Sequence, residues 1–173
     1  VNFLVHNHVG AHFPFLGYDN DNKYRIKFYS ALSRLVFSSS EDVNNSFDSF
    51  VRPNLEILAQ LSAASELRTA NVRTAIVGAM RDLRGITVSA YSKRTYGLLF
   101  EALHPTYFPL FLRIAQVWYD DPIVMTALFK FMQEFVLNKG QRIYFENSSA
   151  DGILLFREAS AIIAAYGSCI LQV

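Results

Sequence analysis

Three histidines near the start of the chain, His6, His8 and His12, are spaced H-x-H-x3-H. Metal hydrolases use an H-x-H pair at the end of a strand to hold zinc. Here no strand pattern precedes the pair and no further ligand set follows at matching spacing, so the three read as surface or loop histidines. Arg81-Asp82-Leu-Arg84 is the densest charged group on a helical stretch. A carboxylate between two arginines could serve as a general base while the arginines hold an anion. No nucleophile, histidine or glycine loop accompanies it. An ion pair between Asp82 and an arginine of a neighbouring helix pair explains the same residues. Cys169, the single cysteine, stands among apolar residues and reads as a small buried hydrophobe. The sequence holds no glycine-rich nucleotide motif and no C-x-x-C pair. It therefore points to no catalytic residue, no cofactor and no metal, and the chain is expected not to be an enzyme.

The elements that carry these groups are helices. Asp121-Pro122 opens a segment with apolar residues at Ile123, Val124, Ala127, Leu128, Phe131, Met132, Phe135 and Val136. Alternating steps of one and three mark one face of an α-helix. Large side chains left in water cost roughly 1.5–3 kcal/mol each, so this helix must lie against others. Similar stripes predict seven helices, at about 23–37, 43–64, 69–90, 93–103, 106–119, 121–137 and 152–171. Pro53 should kink or split the second helix by removing a backbone donor. His104-Pro105 should end the fourth, because the residue before proline avoids helical geometry. Asp120-Asp121-Pro122 supplies a tight turn with a cap and a first-turn proline. In the seventh, Ile153, Phe156, Ala159, Ile162, Ile163, Tyr166 and Ile170 are expected to face inward. Helices with one apolar stripe and a polar back, joined by short turns, predict an all-α protein. The expected architecture is an α-solenoid of antiparallel HEAT-type helix pairs, about three to four repeats, with 1–173 one continuous piece.

The 173 residues are 51% hydrophobic and 18% charged, with net charge +1. A near-neutral chain argues against nucleic acid as a partner, which would call for a strongly basic balance. The most apolar stretch, 152–171, is interrupted by Arg157 and Glu158, a costly pair inside a bilayer, so no membrane insertion is expected. The chain begins at Val1 and stops at Val173 without the polar caps that a solenoid needs. A piece of a longer protein is the expectation.

Several strings, in order, carry a resemblance: His12-Phe-Pro-Phe-Leu-Gly17, Tyr29-Ser-Ala-Leu-Ser-Arg-Leu35, Arg81-Asp-Leu-Arg-Gly-Ile86, Trp118-Tyr-Asp-Asp-Pro122, Gln141-Arg142 and Asp151-Gly-Ile-Leu-Leu-Phe-Arg-Glu-Ala-Ser160. In this arrangement the chain resembles the importin-β (karyopherin-β) superfamily of nuclear transport receptors, from about residue 11 to the end. The resemblance implies a HEAT-repeat superhelix that performs no bond chemistry. It implies an export receptor that binds protein cargo together with Ran-GTP, the latter through repeats outside this segment. It further implies contact with nucleoporins and shuttling between nucleus and cytoplasm. The alternative is a HEAT or armadillo-like interaction scaffold unrelated to Ran. Polar residues off the stripes are the candidate protein contacts: Arg81, Arg84, Lys130, Gln133 and Glu134.

Overall fold

Short polar side chains start the helices where the sequence places them. The Thr69 hydroxyl accepts from the Val72 amide, and Ser92 forms a reciprocal capping box with Thr95. The Asp121 carboxylate accepts from the Ile123 and Val124 amides, with Pro122 in the first turn. The computed structural model describes His8 and residues 23–38, 43–143 and 150–172. In order these form α1 (Lys23–Ser38), α2 (Val43–Ala63), α3 (Ala70–Ser89), α4 (Lys93–Leu103), α5 (Phe108–Val117), α6 (Pro122–Val136), a 3-10 turn (Lys139–Gln141) and α7 (Asp151–Leu171). No strand occurs among the described residues. Pro53 lies inside α2 without splitting it. The cis His104–Pro105 bond falls between α4 and α5.

The helices build two layers. Helix α3 lies between α1 and α6, its two most extensive neighbours, and α5 lies against α7. Within a layer the helices run parallel. Arg25 meets Asp82 and Ser30 meets Ser89 between α1 and α3. Arg73 meets Asp121 at the start of the α3/α6 junction. In the other layer Tyr107 reaches the Leu55 carbonyl and Arg113 the Ala64 carbonyl. Across these junctions the bonded residues stand 48 to 59 positions apart in sequence. One separation recurring along both layers is the repeat of a solenoid in three dimensions. Between layers the helices are antiparallel: Phe111 packs on Phe131 and Phe108 on Phe135 across α5 and α6. Tyr29, Phe50, Ile76, Leu83, Phe111, Phe131 and Phe135 are buried in one continuous core.

Three expectations about faces need correction. The polar back of α3 is largely covered: Ile76, Met80 and Leu83 are buried, and so are Asp82, Gly85, Ile86, Thr87 and Ser89, because a neighbour covers each flank. On α6, Ile123 is 49% and Val136 39% exposed, while Met125 is buried in their stead. On α7, only Gly152, Leu155 and Ile162 are buried; Ile153, Phe156, Ile163 and Ile170 are exposed. Leu155, Ala159, Ile162 and Tyr166 form the face that meets the rest of the molecule. By length and composition α7 is long and apolar enough to cross a membrane. In the fold it lies alongside α5, with Glu158 3.7 Å from His104.

Candidate protein-contact site

Helix α3 carries the charged group singled out in the sequence, and its two flanks are built differently. On the α1 side the junction is shut. Asp82 is fully buried and accepts two bonds from Arg25, at 2.7 and 2.5 Å. Burial pushes the Asp82 carboxyl up to about 6, against the pull of the Arg25 charge. Burial also opposes charge on Arg25, but the bonds and charge of Asp82 outweigh it and raise the guanidinium pKa. One turn on, Gly85 lets the two helices touch. A Cβ there would stand 2.7 Å from the Ile26 carbonyl oxygen and 2.8 Å from the Tyr29 Cβ, closer than any side chain can sit. Asp82 is thus an inter-repeat ion-pair partner, as its setting suggested. A closed, arginine-filled site leaves it no substrate to act on as a base.

On the α6 side α3 is tied at both ends and open between. At the first end Arg73 donates to Asp121 at 2.6 and 3.2 Å, so one carboxylate caps α6 and pairs with α3. Those bonds lead the causes that hold Asp121 below the usual carboxylate range. At the far end Arg142 is completely buried. Its guanidinium donates to the Thr87 and Ala90 carbonyls at the end of α3, at 2.9 and 2.8 Å. It also donates to the Glu134 and Leu137 carbonyls at the end of α6, at 2.5 and 3.1 Å. The Tyr96 ring lies 4.9 Å from it. One cation therefore bridges carbonyls at the ends of two helices and opposes both negative helix ends. The other layer repeats the device. Arg113 donates to the Ala64 and Ser65 carbonyls after α2, and Arg68 to the Val117 carbonyl closing α5.

Between the two ties lies a groove of about 470 Å³ lined by Ile26, Arg81, Arg84, Ile123, Thr126 and Lys130. Three of the five candidate contacts meet here. The Arg84 Nε is buried and finds no hydrogen-bond partner among the described residues. Gln133 lies elsewhere, in an apolar groove of about 590 Å³ between α6 and α7. Lys130 stands between the grooves and lines both. Glu134, the fifth candidate, is half-buried at the end of α6 and paired with Lys139 at 2.6 Å.

The histidine reading narrows. His8 is buried, which removes the surface alternative and leaves it a non-helical residue turned inward. Its Nε2 faces the Phe50 carbonyl at 2.9 Å, which can only accept, so Nε2 carries the proton. Its Nδ1 then accepts from the Tyr29 hydroxyl at 3.1 Å. Burial lowers its pKa, in keeping with a neutral ring. Neither nitrogen is left for a metal. His6 and His12 lie outside the described residues. Among those described, no group of three or more His, Cys, Asp or Glu could hold a metal ion. Cys169 is only partly buried, with its sulfur 3.9 Å from the Gln116 carbonyl.

Stacked parallel helices tied by inter-repeat arginines define a helical-repeat solenoid with an open groove on one layer. The chain is similar over nearly its whole length to proteins of known class. It is 37% identical over 99% of its length to exportin-7-B of Xenopus laevis. With exportin-7 of Dictyostelium discoideum it shares 36% over 98%, and with Ran-binding protein 17 of Homo sapiens 38% over 99%. The chain spans only 16–17% of the length of these relatives. No family model matches it. No solved structure matches either.

Proposed function

We propose that this chain is a segment of a nuclear export receptor that binds protein cargo together with Ran-GTP and carries it through the pore to the cytoplasm. One observation carries the reading: identity of 36–38% to exportin-7 and Ran-binding protein 17 over essentially the whole chain. The parallel stacking supports it. In a solenoid each repeat touches only its neighbours, so small rotations at many junctions add to a large change in pitch. Two ligands that prefer the same pitch bind with positive coupling, since either one lowers the cost of reaching it for the other. Ran-GTP is held by repeats outside this segment. Nucleoporins meet the outer surface, and the protein shuttles between nucleus and cytoplasm. The receptor makes and breaks no bonds and inserts into no membrane. Cargo meets polar side chains of the kind that line the α3/α6 groove, with Arg81, Arg84 and Lys130 the residues expected to touch protein and Gln133 a further contact across α6. The test is the affinity of the full-length protein for proteins it retains from nuclear extract, measured with and without Ran held in its GTP state. Tighter retention with Ran-GTP is expected. Retention indifferent to Ran favours a scaffold instead.

A further inference from the structure

We propose that the α3/α6 groove docks an acidic segment of a partner protein, one that presents carboxylates beside an apolar side chain. The inference rests on the reading of the chain as a protein-binding solenoid and adds the chemistry of what binds.

Charge is distributed unequally between the layers. Helices α1, α3 and α6 carry eight lysines and arginines against two carboxylates, Asp82 and Glu134. Helices α2, α4, α5 and α7 carry five of each. The two carboxylates of the basic layer are already engaged, Asp82 by Arg25 and Glu134 by Lys139. Asp121, at the lip of the groove, is engaged by Arg73. Among the described residues no wall carboxylate remains to answer Arg84 and Lys130, so the potential they set over the groove is positive. The net charge of +1 conceals this, because much of the acidic balance sits in the loops.

The lining sets the form of the ligand. Pro122, Ile123 and Ala127 give the groove an apolar side, and Ile123 is half in water without a ligand. A carboxylate would supply the acceptor that the buried Arg84 Nε lacks, in a charge-assisted bond. An adjacent apolar side chain would cover Ile123. Single-stranded nucleic acid wants aromatic faces for its bases, and none of the described residues lining this groove is aromatic. An acidic peptide is therefore the better fit.

The experiment is fluorescence anisotropy with the full-length protein and a short fluorescein-labelled peptide alternating glutamate and leucine. A lysine–leucine peptide and an oligouridylate serve as comparators. Saturable binding of the acidic peptide is expected, weakening as salt rises. Lys130→Glu, at an exposed position, should weaken it about tenfold or more. Arg84→Gln should weaken it in the same direction, and Arg52→Glu on α2, in the other layer, should leave it unchanged. Melting curves confirm that Lys130→Glu is folded. Absence of saturable binding, equal affinity of Lys130→Glu, or preference for the oligouridylate overturns the proposal. Ran-GTP binding is measured separately. A protein that binds Ran-GTP but not the acidic peptide remains a receptor and loses only this docking site.

Discussion

The two flanks of α3 solve the same problem, holding a parallel neighbour, in different ways. Against α1 the contact is closed in the middle by a buried ion pair and a glycine that brings the backbones together. Against α6 it is fastened at the ends, by Arg73–Asp121 and by Arg142, with a groove between. A junction closed at its centre has nothing left to offer a ligand. A junction tied at its ends can leave charged side chains facing a cavity and still hold the repeat in register.

The largest expected effect is on the closed flank. Asp82→Ala strands Arg25 in a nearly dry site and should cost about 3–5 kcal/mol. Loss of hydrogen-exchange protection across both α1 and α3 is the readout. Asp82→Asn keeps an acceptor for Arg25 and should cost less. Next, Arg142→Ala removes a donor from four helix-end carbonyls, of which Thr87 keeps the Ala90 amide and Leu137 the Lys139 amide; it should cost about 2–4 kcal/mol and loosen the ends of α3 and α6 while sparing α1. Third, Gly85→Ala should destabilise by about 1–3 kcal/mol through overpacking. The same change at Gly78, whose Cβ would stand 3.7 Å from the Arg25 guanidinium, meets only ordinary contact. Gly78→Ala should therefore be neutral, or gain up to about 1 kcal/mol of helix propensity. Equal losses at the two glycines would refute the close approach at α1.

Among the destabilising changes the smallest is at the Arg73–Asp121 tie. Asp121→Ala removes a cap and a partly exposed pair for about 1 kcal/mol. The two carboxylates should also separate with pH. Asp121 has a lowered folded pKa, so its contribution is complete above the ordinary carboxylate value of about 3.8 and is lost as pH falls through the depressed value. Asp82 is raised to about 6, so the folded state takes up its proton before the unfolded chain does. Its protonation removes no stability as pH falls from about 6 towards 4. Carbon-detected titration of the two carboxyls would show both directions.

The start of α6 was legible because its determinants are local: the Asp121 carboxylate caps amides two and three residues on, and Pro122 fits the first turn. Asp82 could be read as an inter-repeat partner because a carboxylate flanked by arginines on an apolar helix must be paired. Arg142 could not be read as a cap. Its acceptors lie 5 to 8 and 52 to 55 positions away, and no spacing encodes them. The inward face of α7 was ambiguous for a related reason. That helix is apolar on more than one side, so periodicity offers two stripes, and only the position of α5 selects Leu155 and Ile162. For α3 the reading went astray in the opposite sense, because a helix covered on both flanks buries polar residues as well as its stripe. The groove was half visible. Arg81, Arg84 and Lys130 were separate candidates in the sequence, and the offset between α3 and α6 brings them to one place.

The proposed function places this solenoid segment in a Ran-dependent receptor. The most direct test is retention of the full-length protein on immobilised Ran, GTP-locked against GDP-loaded. Strong retention on the GTP form and little on the GDP form is the predicted result. Equal retention on both, or none on either, would contradict it.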